Sequence, residues 1–532
     1  MRRIFQLAAI VLGCACAASA QLGRTTDWWT YAGDAQRTGW GKNEQRFTKE
    51  EVKNFQFLWK RKLDNGAAGP NKLLAPVILG NLIGYKGFKE LAFVAGSSDN
   101  LWSIDSDLDR MYWQKHFETS FRVKLADGES SCPAELTAMP ALPPPVVFRR
   151  SSTPRRGANT GANRMRDLFA PKPVYVLSSD GTLHRLNQQD GAETGTPIDF
   201  VPPGSNAHSL NIAESIVYTA TGRGCRNAPS AVWAIDLDDS PPKAHSFVLK
   251  GTEIKGLGGV ALGHDGIVYI QTGDGMFDPA SNEYANSLLA LTPKDLKLKY
   301  YFSLPNAGAA KKDVDMNVST PVIFSYKDRD LIVTAGKDGR LYLLDSKPPA
   351  SGDRMTVLYQ TPPISSGDEN SARHGIWGSL SSWEDADGTR YVFAPVWGPP
   401  PSGLTVPVNH GETPSGFIIA FKLQERDGKP MLAPAWISRD MSYPVPPVIA
   451  QGVVFALSNG DVSRKAAHAT LYGLDAVTGE EIYSTGNQVT VPGSLTGLSI
   501  ANGRLYFTTI DNTINVFGKY LETEPERTSR NR

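Results

Sequence analysis

Residues Ile332 to Asp345 read IVTAGKDGRLYLLD: an apolar β-rich run, a tight turn, and a second run that closes on an aliphatic residue and an acid. Asp-Gly tolerates positive φ in a tight turn, and the flanking β-branched and aromatic residues suit a pleated, half-buried surface. The stretch therefore predicts a β-hairpin.

This hairpin pattern occurs eight times along the chain. Four copies have a tight turn, at 93–105, 175–187, 332–345 and 506–517, and four have a longer one, at 217–236, 268–291, 391–421 and 453–475. A strand repeat with a period of roughly 40–60 residues is typical of propeller blades. The sequence thus predicts an all-β fold, an eight-bladed β-propeller of four-stranded antiparallel blades. In each blade the strands run A to D from the axis outward, and the hairpin supplies B and C.

The last copy lacks a D strand. It ends at Val516-Phe517, and the polar tail 521–532 that closes the sequence is predicted to be disordered. The segment from Phe55 to Lys60 has the character of a D strand and no hairpin before it. We expect this N-terminal strand to complete the last blade and close the ring, which removes an exposed sheet edge.

The first twenty residues are typical of an export signal, with Arg2-Arg3, an apolar run and Ala18-Ser19-Ala20 before the expected cleavage point. The mature propeller would span 21–520 and be periplasmic or secreted. A lipoprotein-like cut that leaves a lipidated Cys14 is the alternative. No other segment approaches the ~20 apolar residues of a transmembrane helix.

Charge and cysteine content limit the partners and cross-links. Lys and Arg number 55 against 54 for Asp and Glu, which argues against nucleic acid as the main partner. Once a signal is removed, Cys132 and Cys225 remain. An exported chain can join them in one disulfide or leave two thiols.

Two stretches resemble the quinoprotein alcohol dehydrogenases, which use pyrroloquinoline quinone (PQQ). Trp29, Tyr31, Gly33 and Asp34 resemble the opening of that family, and LYGLDAVTG at 471–479 is close to its blade repeat. The resemblance covers most of residues 27 to 520. It implies a propeller that binds PQQ and Ca²⁺ and oxidises a small alcohol, polyol or sugar.

The long turns all fall on one face of the predicted ring. B–C turns and D–A connections share one side, and the four enlarged B–C turns, at about 222–231, 273–287, 397–416 and 458–469, crowd onto it. Elaboration of one face of a rigid scaffold is how such folds usually build a site. We call this side the B–C face and expect the site there.

Hard oxygen donors gather on the predicted B–C face, as a Ca²⁺ site requires. Asp274 follows the B strand of blade 4, and Asp313, Asp315 and Asn317 lie on the connection into blade 5. A carboxylate beside such a cation can also act as a general base. The resemblance implies that Asp274 is a metal ligand and that Asp315, or in second place Asp313, is the catalytic base. Asn317 is a further candidate metal ligand from the same group of oxygen donors.

Three residues are candidates for holding the cofactor. Lys337, in the tight turn of blade 5, resembles a family cation that contacts the quinone oxygens and would stabilise negative charge there. Trp377 falls where the family has an Asn-Trp pair, although Ile376 replaces the Asn. Asn282 lies in the same enlarged turn as Asp274.

Several family features have no match in this sequence. The vicinal Cys-Cys pair is absent, the stacking Trp of the family is replaced by residues 258–262, GGVAL, and no Cys-x-x-Cys-His motif for an attached haem is present. These departures leave a second function open: a non-catalytic propeller that binds a protein or glycan through its long B–C loops.

Overall fold

The computed structural model describes residues 26–65, 73–84, 87–96, 98–119, 136–144, 172–305, 319–336, 338–366, 374–460 and 467–519. These residues form eight antiparallel blades around one axis, which confirms the predicted fold. Blades pack face to face, so both sides of an inner strand are buried and its residues read as a nearly continuous apolar run, as in Arg329–Ala335. Outer strands alternate between buried and exposed residues, as in Arg110–His116.

The strands follow the order A, B, C, D in each blade. Their bounds are: blade 1, Val77–Gly84, Gly87–Gly96, Asn100–Asp105, Arg110–His116; blade 2, Pro173–Leu177, Thr182–Asn187, Ile198–Asp199; blade 3, Asn211–Ala213, Ile216–Gly222, Ala231–Asp236, Ala244–Val248; blade 4, Ala261–Leu262, Val268–Gln271, Ser287–Leu291, Leu298–Ser303; blade 5, Val322–Tyr326, Arg329–Ala335, Leu341–Asp345, Val357–Gln360; blade 6, Ser381–Glu384, Arg390–Trp397, Gly416–Arg426, Lys429–Ile437; blade 7, Val448–Ala450, Val453–Ser458, Thr470–Asp475, Glu481–Ser484; blade 8, Ser499–Ala501, Arg504–Thr509, Thr513–Gly518, Gln56–Lys62.

Shorter pieces complete the secondary structure. Residues Asn206–Ala207 pair with the B strand of blade 3, and Gly375–Ile376 with that of blade 6. Phe277–Asp278 pairs with Glu283–Tyr284 inside the long turn of blade 4, and Val408–Asn409 pairs in parallel with the D strand of blade 6. In the described part of the chain, the helical pieces are an α-helix, Lys49–Val52, and two 3₁₀ turns, Cys225–Asn227 and Pro279–Ser281.

Blade 2 has a short inner strand. Among the residues that the structure describes there, the inner strand is one antiparallel bridge between Ala141 and Tyr175, beside three regular strands. The entering segment 136–144 is rich in proline, which supplies no N–H donor for a ladder. The bridge occupies the inner-strand position, and the four-stranded plan predicted for the fold is confirmed.

The N-terminal strand closes the ring. Gln56–Lys62 pairs antiparallel with Thr513–Gly518 and forms the missing outer strand of blade 8, as predicted. Its Trp59 indole donates a hydrogen bond across the seam to the Ser106 carbonyl of blade 1, at 3.2 Å. First and last parts of the chain thus share one blade, which leaves blade 8 no open outer edge at this point.

Outer-strand tryptophans join neighbouring blades elsewhere as well. The Trp113 indole donates to the Gln188 carbonyl of blade 2, and the Trp436 indole to the Ala476 carbonyl of blade 7, each at 3.0 Å. Gly479, with φ +78°, lies under the Trp436 ring, where a Cβ would come within 2.6 Å of the indole. The hydrogen bond from each indole therefore holds the C–D turn of the next blade in place.

A second N-terminal segment, residues 26–44, runs around the inside of the ring; we call it the strap. Its carbonyl groups accept hydrogen bonds from inner-edge N–H groups of six blades. The donors, in chain order, are Ile78, Leu142, Leu262, Ile323, Ser382 and Ile449, and the acceptors are the carbonyls of Trp28, Trp29, Ala35, Gln36, Thr38 and Gly39, at 2.7 to 3.1 Å.

The strap reaches the two remaining blades through side chains. The Thr30 hydroxyl donates to the Leu210 carbonyl at the start of blade 3, and Glu44 accepts from the Gly503 N–H of blade 8 at 2.7 Å. Gly503 and Gln451, another partner of Glu44, are A–B turn residues. The strap therefore lies toward the A–B side of the ring, opposite the B–C face.

Two further findings bear on earlier expectations. Cys225 is disulfide-bonded, so the alternative of a free thiol is wrong for this residue. Its predicted partner, Cys132, lies outside the described residues, as do the predicted signal and the C-terminal tail. Within the described part of the chain, no helix has the length and apolar character to span a bilayer.

Candidate functional site

Asp274 lies on the B–C face, in the connection that follows strand B of blade 4. The turn is built around Gly275, where a Cβ would come within 1.9 Å of the Gly251 carbonyl oxygen. The Thr272 hydroxyl donates to the Tyr284 carbonyl at 2.5 Å and the Gly273 N–H to the Glu253 carbonyl at 2.9 Å. These bonds fix the backbone on both sides of the half-buried Asp274 carboxylate.

Asn282 lies in the same connection, and its backbone ends the 3₁₀ turn Pro279–Ser281. It adopts a left-handed conformation, with φ 58° and ψ 40°, and its N–H bonds to the Pro279 carbonyl. Asn tolerates this conformation better than most residues. The side chain is exposed. The left-handed position at the end of the 3₁₀ turn is enough to account for an Asn at residue 282. A cofactor-binding role for Asn282 stays a prediction.

Trp377 lies at the inner edge of the B–C face, on the connection into blade 6. Its ring stacks on Trp397, at the end of the B strand, with centroids 4.6 Å apart and planes 13° apart. Tyr443, from the connection into blade 7, packs edge-on against Trp397 at 4.8 Å. Sequence reasoning found Trp377 and missed the two supporting rings.

Backbone carbonyls hold this aromatic stack in place. The Trp377 indole donates to the His374 carbonyl at 2.9 Å, and the Trp397 indole to the Pro444 carbonyl at 3.0 Å. Trp397 is buried, whereas Trp377 is half-buried. The stack is therefore a rigid, flat aromatic surface at the inner edge of two blades, suited to a planar ligand.

The other predicted site residues, Asp313, Asp315, Asn317 and Lys337, lie outside the described residues. Next to the Lys337 position, Asp338 is half-buried in the tight turn of blade 5, and desolvation of its carboxyl group raises its pKa. The Tyr342 hydroxyl donates to this carboxyl group at 2.5 Å. A carboxyl group with a raised pKa beside a predicted site is a functional candidate that the sequence pattern did not single out.

The described residues contain no complete set of metal ligands. Within the described ranges, no group of three His, Cys, Asp or Glu side chains lies close enough together to hold a metal ion. Asp274 therefore needs partners from elsewhere in the chain to form the predicted calcium site. The aromatic stack, in contrast, is complete within the described residues.

Comparison with solved structures places the fold. The chain superposes on the quinohemoprotein alcohol dehydrogenase of Comamonas testosteroni with a TM-score of 0.56, at 14% identity over 94% of this chain and 82% of that one. A europium-containing methanol dehydrogenase gives a TM-score of 0.56, at 12% identity over 93% of this chain and 98% of that one. The quinohemoprotein alcohol dehydrogenase ADHIIG of Pseudomonas putida HK5 gives 0.51, at 13% identity over 94% and 81%.

The chain has the eight-bladed fold of the quinoprotein alcohol dehydrogenases. Identities this low show the fold alone. No protein-family model and no curated protein matches the sequence.

Proposed function

We propose that the protein is an exported PQQ-linked oxidoreductase that oxidises a small alcohol, polyol or sugar at the axial end of the B–C face. One observation carries this proposal: the aromatic stack of Trp377 and Trp397 is held rigid at the inner edge of the face that also carries Asp274. A flat, pre-ordered indole suits a planar quinone.

The chain's own residues would have separate roles. Asp274 and Asn317 would hold Ca²⁺, Lys337 would supply positive charge beside the quinone oxygens, and Asp315, or Asp313, would take the proton of the substrate hydroxyl group. The bound quinone would accept the electrons of the alcohol. Trp377 and Asn282 would orient the cofactor.

The test is a titration of the mature protein with PQQ, with and without Ca²⁺, followed by the quinone spectrum and by thermal stability. We expect calcium-dependent binding that Asp274→Ala abolishes. Asp278→Ala is the matched control, because Asp278 lies in the same connection and caps the 3₁₀ turn. Absence of binding at tens of micromolar PQQ, or equal loss in both variants, would contradict the proposal.

A second function, a non-catalytic propeller that binds a protein or glycan, is favoured by one observation. Apolar side chains are exposed on the B–C side, with Val248 at 50%, Met276 at 62%, Leu495 at 47% and Ile510 at 41%. A contiguous apolar patch is typical of an interaction site, and under this second function these four side chains form one. Under this function, Met276→Glu with Ile510→Glu would abolish capture of a cross-linked partner without lowering the thermal midpoint, because both side chains are exposed.

A further inference from the structure

Asp338 lies in the tight turn of blade 5, on the B–C face. The turn closes with a hydrogen bond from the Gly339 N–H to the Gly336 carbonyl, at 3.1 Å. The Tyr342 ring packs against Phe302, in the outer strand of blade 4, with ring centroids 4.9 Å apart. Because the Tyr342 hydroxyl donates to Asp338, the carboxyl group lies near the end of blade 4 from which the connection into blade 5 starts.

The same tight turn also contacts the connection into blade 6. The Ile364 N–H donates to the Gly339 carbonyl at 2.7 Å, so this connection lies against the turn. Two residues further on, the Ser366 hydroxyl donates to the Pro399 carbonyl at 3.1 Å. Pro399 follows Trp397 by two residues in the B–C turn of blade 6. The tight turn of blade 5 is thus linked to the aromatic stack through one short segment of chain.

The two oxygens of the Asp338 carboxyl group have different surroundings. Oδ2 accepts from the hydroxyl of the buried Tyr342 at 2.5 Å. Oδ1 accepts a long hydrogen bond from the Arg340 N–H, at 3.4 Å, while the Arg340 guanidinium donates to the Thr361 carbonyl at 2.9 Å. The residue as a whole is half-buried. One oxygen is therefore held in place, whereas the other is held weakly and can exchange a proton with its surroundings.

These surroundings set the acidity of Asp338. Desolvation raises its pKa, and the hydrogen bond from Tyr342 and the charge of Arg340 oppose this rise without cancelling it. Within the described residues, Tyr342 and Arg340 are the titratable and charged groups that act on Asp338, since the segment 362–366 packed against the turn supplies none. A carboxylate with a raised pKa binds a proton more readily than an ordinary one, which suits a group that takes a proton up and passes it on.

We infer that Asp338 is a proton-transfer residue of the proposed reaction: it takes over the proton released on the B–C face and delivers it to bulk water. The substrate O–H bond breaks as the alcohol is oxidised, the proton forms a bond to Asp338 Oδ1, and that bond breaks when the proton passes to water. The electron pair of the substrate C–H bond goes to the bound quinone under the proposed function, on which this inference rests. Tyr342 is a positioning residue, because it acts through Asp338.

The first test needs no cofactor. Infrared difference spectra of the mature protein, recorded across a pH titration, follow the C=O band of protonated carboxylic acids. We expect one acid that titrates above the ordinary value of 3.8 and that Asp338→Asn removes. Tyr342→Phe removes a hydrogen bond that lowers the pKa, so the same band should titrate at higher pH than in the wild type. A spectrum that Asp338→Asn leaves unchanged, or a midpoint that Tyr342→Phe leaves unchanged, overturns the inference.

The second test follows quinone absorbance, as a function of pH, after the PQQ- and Ca²⁺-loaded protein is mixed anaerobically with an alcohol. We expect the bleaching rate of the wild type to fall at low pH, where Asp338 is already protonated. Asp338→Asn should lower the rate about 10- to 100-fold and abolish this fall, and Tyr342→Phe should move it to higher pH. Added acetate should restore part of the rate in Asp338→Asn, because a small carboxylate can carry the proton instead.

Asp511→Asn is the matched control. Asp511 is half-buried at the corresponding position in the tight turn of blade 8, where it accepts from the Thr509 and Thr513 hydroxyls at 2.6 and 3.0 Å. This variant should keep the rate and the pH profile of the wild type. An Asp338→Asn variant that bleaches at the wild-type rate, with the fall at low pH intact, overturns the inference and leaves the proposed function standing. Absence of bleaching in the wild type overturns both.

Discussion

Glu44 accepts a hydrogen bond from the backbone N–H of Gly503, 2.7 Å away, and so ties the strap to the last blade. The carboxyl group is almost fully buried. Burial raises its pKa to about 7, and the nearby Glu90 adds to this effect, while backbone hydrogen bonds from Gly503 and Asn502 and the charge of Arg46 oppose it. The bond that completes the strap is therefore sensitive to pH.

Glu44 makes the stability of the fold depend on pH. In the unfolded chain the group titrates near its ordinary value of 4.5, so between about 4.5 and 7 the folded state holds a proton that the unfolded state has lost. The stabilisation is complete below about pH 4.5 and is lost as pH rises through 7. The difference corresponds to about 3 kcal/mol. We expect the thermal midpoint of the wild type to fall more between pH 5 and pH 8 than that of Glu44→Gln.

The matched control is Glu412→Gln, which changes an exposed acid on the long turn of blade 6. It should keep the pH dependence of the wild type. If the thermal midpoint of Glu44→Gln falls between pH 5 and pH 8 as much as that of the wild type, Glu44 is not the group responsible for the pH dependence.

Gly479 is needed where the Trp436 ring covers the C–D turn of blade 7. Gly479→Ala places a Cβ 2.6 Å from the indole, at a φ of +78°. The left-handed conformation alone costs about 1–2 kcal/mol. We expect the clash to add to this and lower the thermal midpoint further.

Gly428→Ala separates the two effects. Gly428 has φ +73°, but no atom lies within 4 Å of the added Cβ. This variant should lose only the conformational part. Equal thermal midpoints for Gly479→Ala and Gly428→Ala would show that the Trp436 indole moves aside to accommodate the new methyl group.

Cys225 gives a chemical test of the fold. We expect a non-reducing peptide map to link Cys225 to Cys132, and reduction to destabilise the protein by about 2–4 kcal/mol, the usual range for a disulfide. Alkylation of Cys225 in the native protein without a reductant would contradict the bond.

We expect Trp377 to contribute to quinone affinity and to contribute little to the stability of the fold. Trp377→Ala removes the half-buried ring of the stack, and we expect quinone affinity to fall about tenfold. Trp383→Ala, in the inner strand of the same blade, removes a buried indole near the A–B turn residue Gly452 and should lower stability without changing affinity. The reverse result would make Trp377 a packing residue.

The blades could be predicted from sequence because each is a local pattern. Turn residues such as Asp338-Gly339 and the apolar runs beside them specify a hairpin within about fifteen residues. The closing strand, Gln56–Lys62, could be predicted because blade 8 otherwise lacked an outer strand. In blade 2 the pattern gave no sign of the short inner strand, where proline residues supply no N–H donors and a single bridge is described.

The strap could not be predicted in the same way. It binds six blades through backbone carbonyls, which every residue carries, so its path leaves no side-chain pattern. The opening motif with Tyr31 and Asp34 indicated a family resemblance, but the Arg37 and Thr30 side chains bind the carbonyls of Val260 and Leu210, which are 223 and 180 residues away along the chain. Trp397 and Tyr443 were missed for the same reason, since their pairing is tertiary.

The central claim is that this chain oxidises an alcohol through bound quinone. The most direct measurement mixes the PQQ- and Ca²⁺-loaded protein anaerobically with a panel of small alcohols, polyols and sugars and follows the quinone absorbance in the wild type and in Asp315→Asn. We predict substrate-dependent bleaching of the oxidised quinone in the wild type and its loss in the variant, with quinone binding retained. A protein that binds PQQ but keeps it oxidised with every substrate, or that binds none, would contradict the claim.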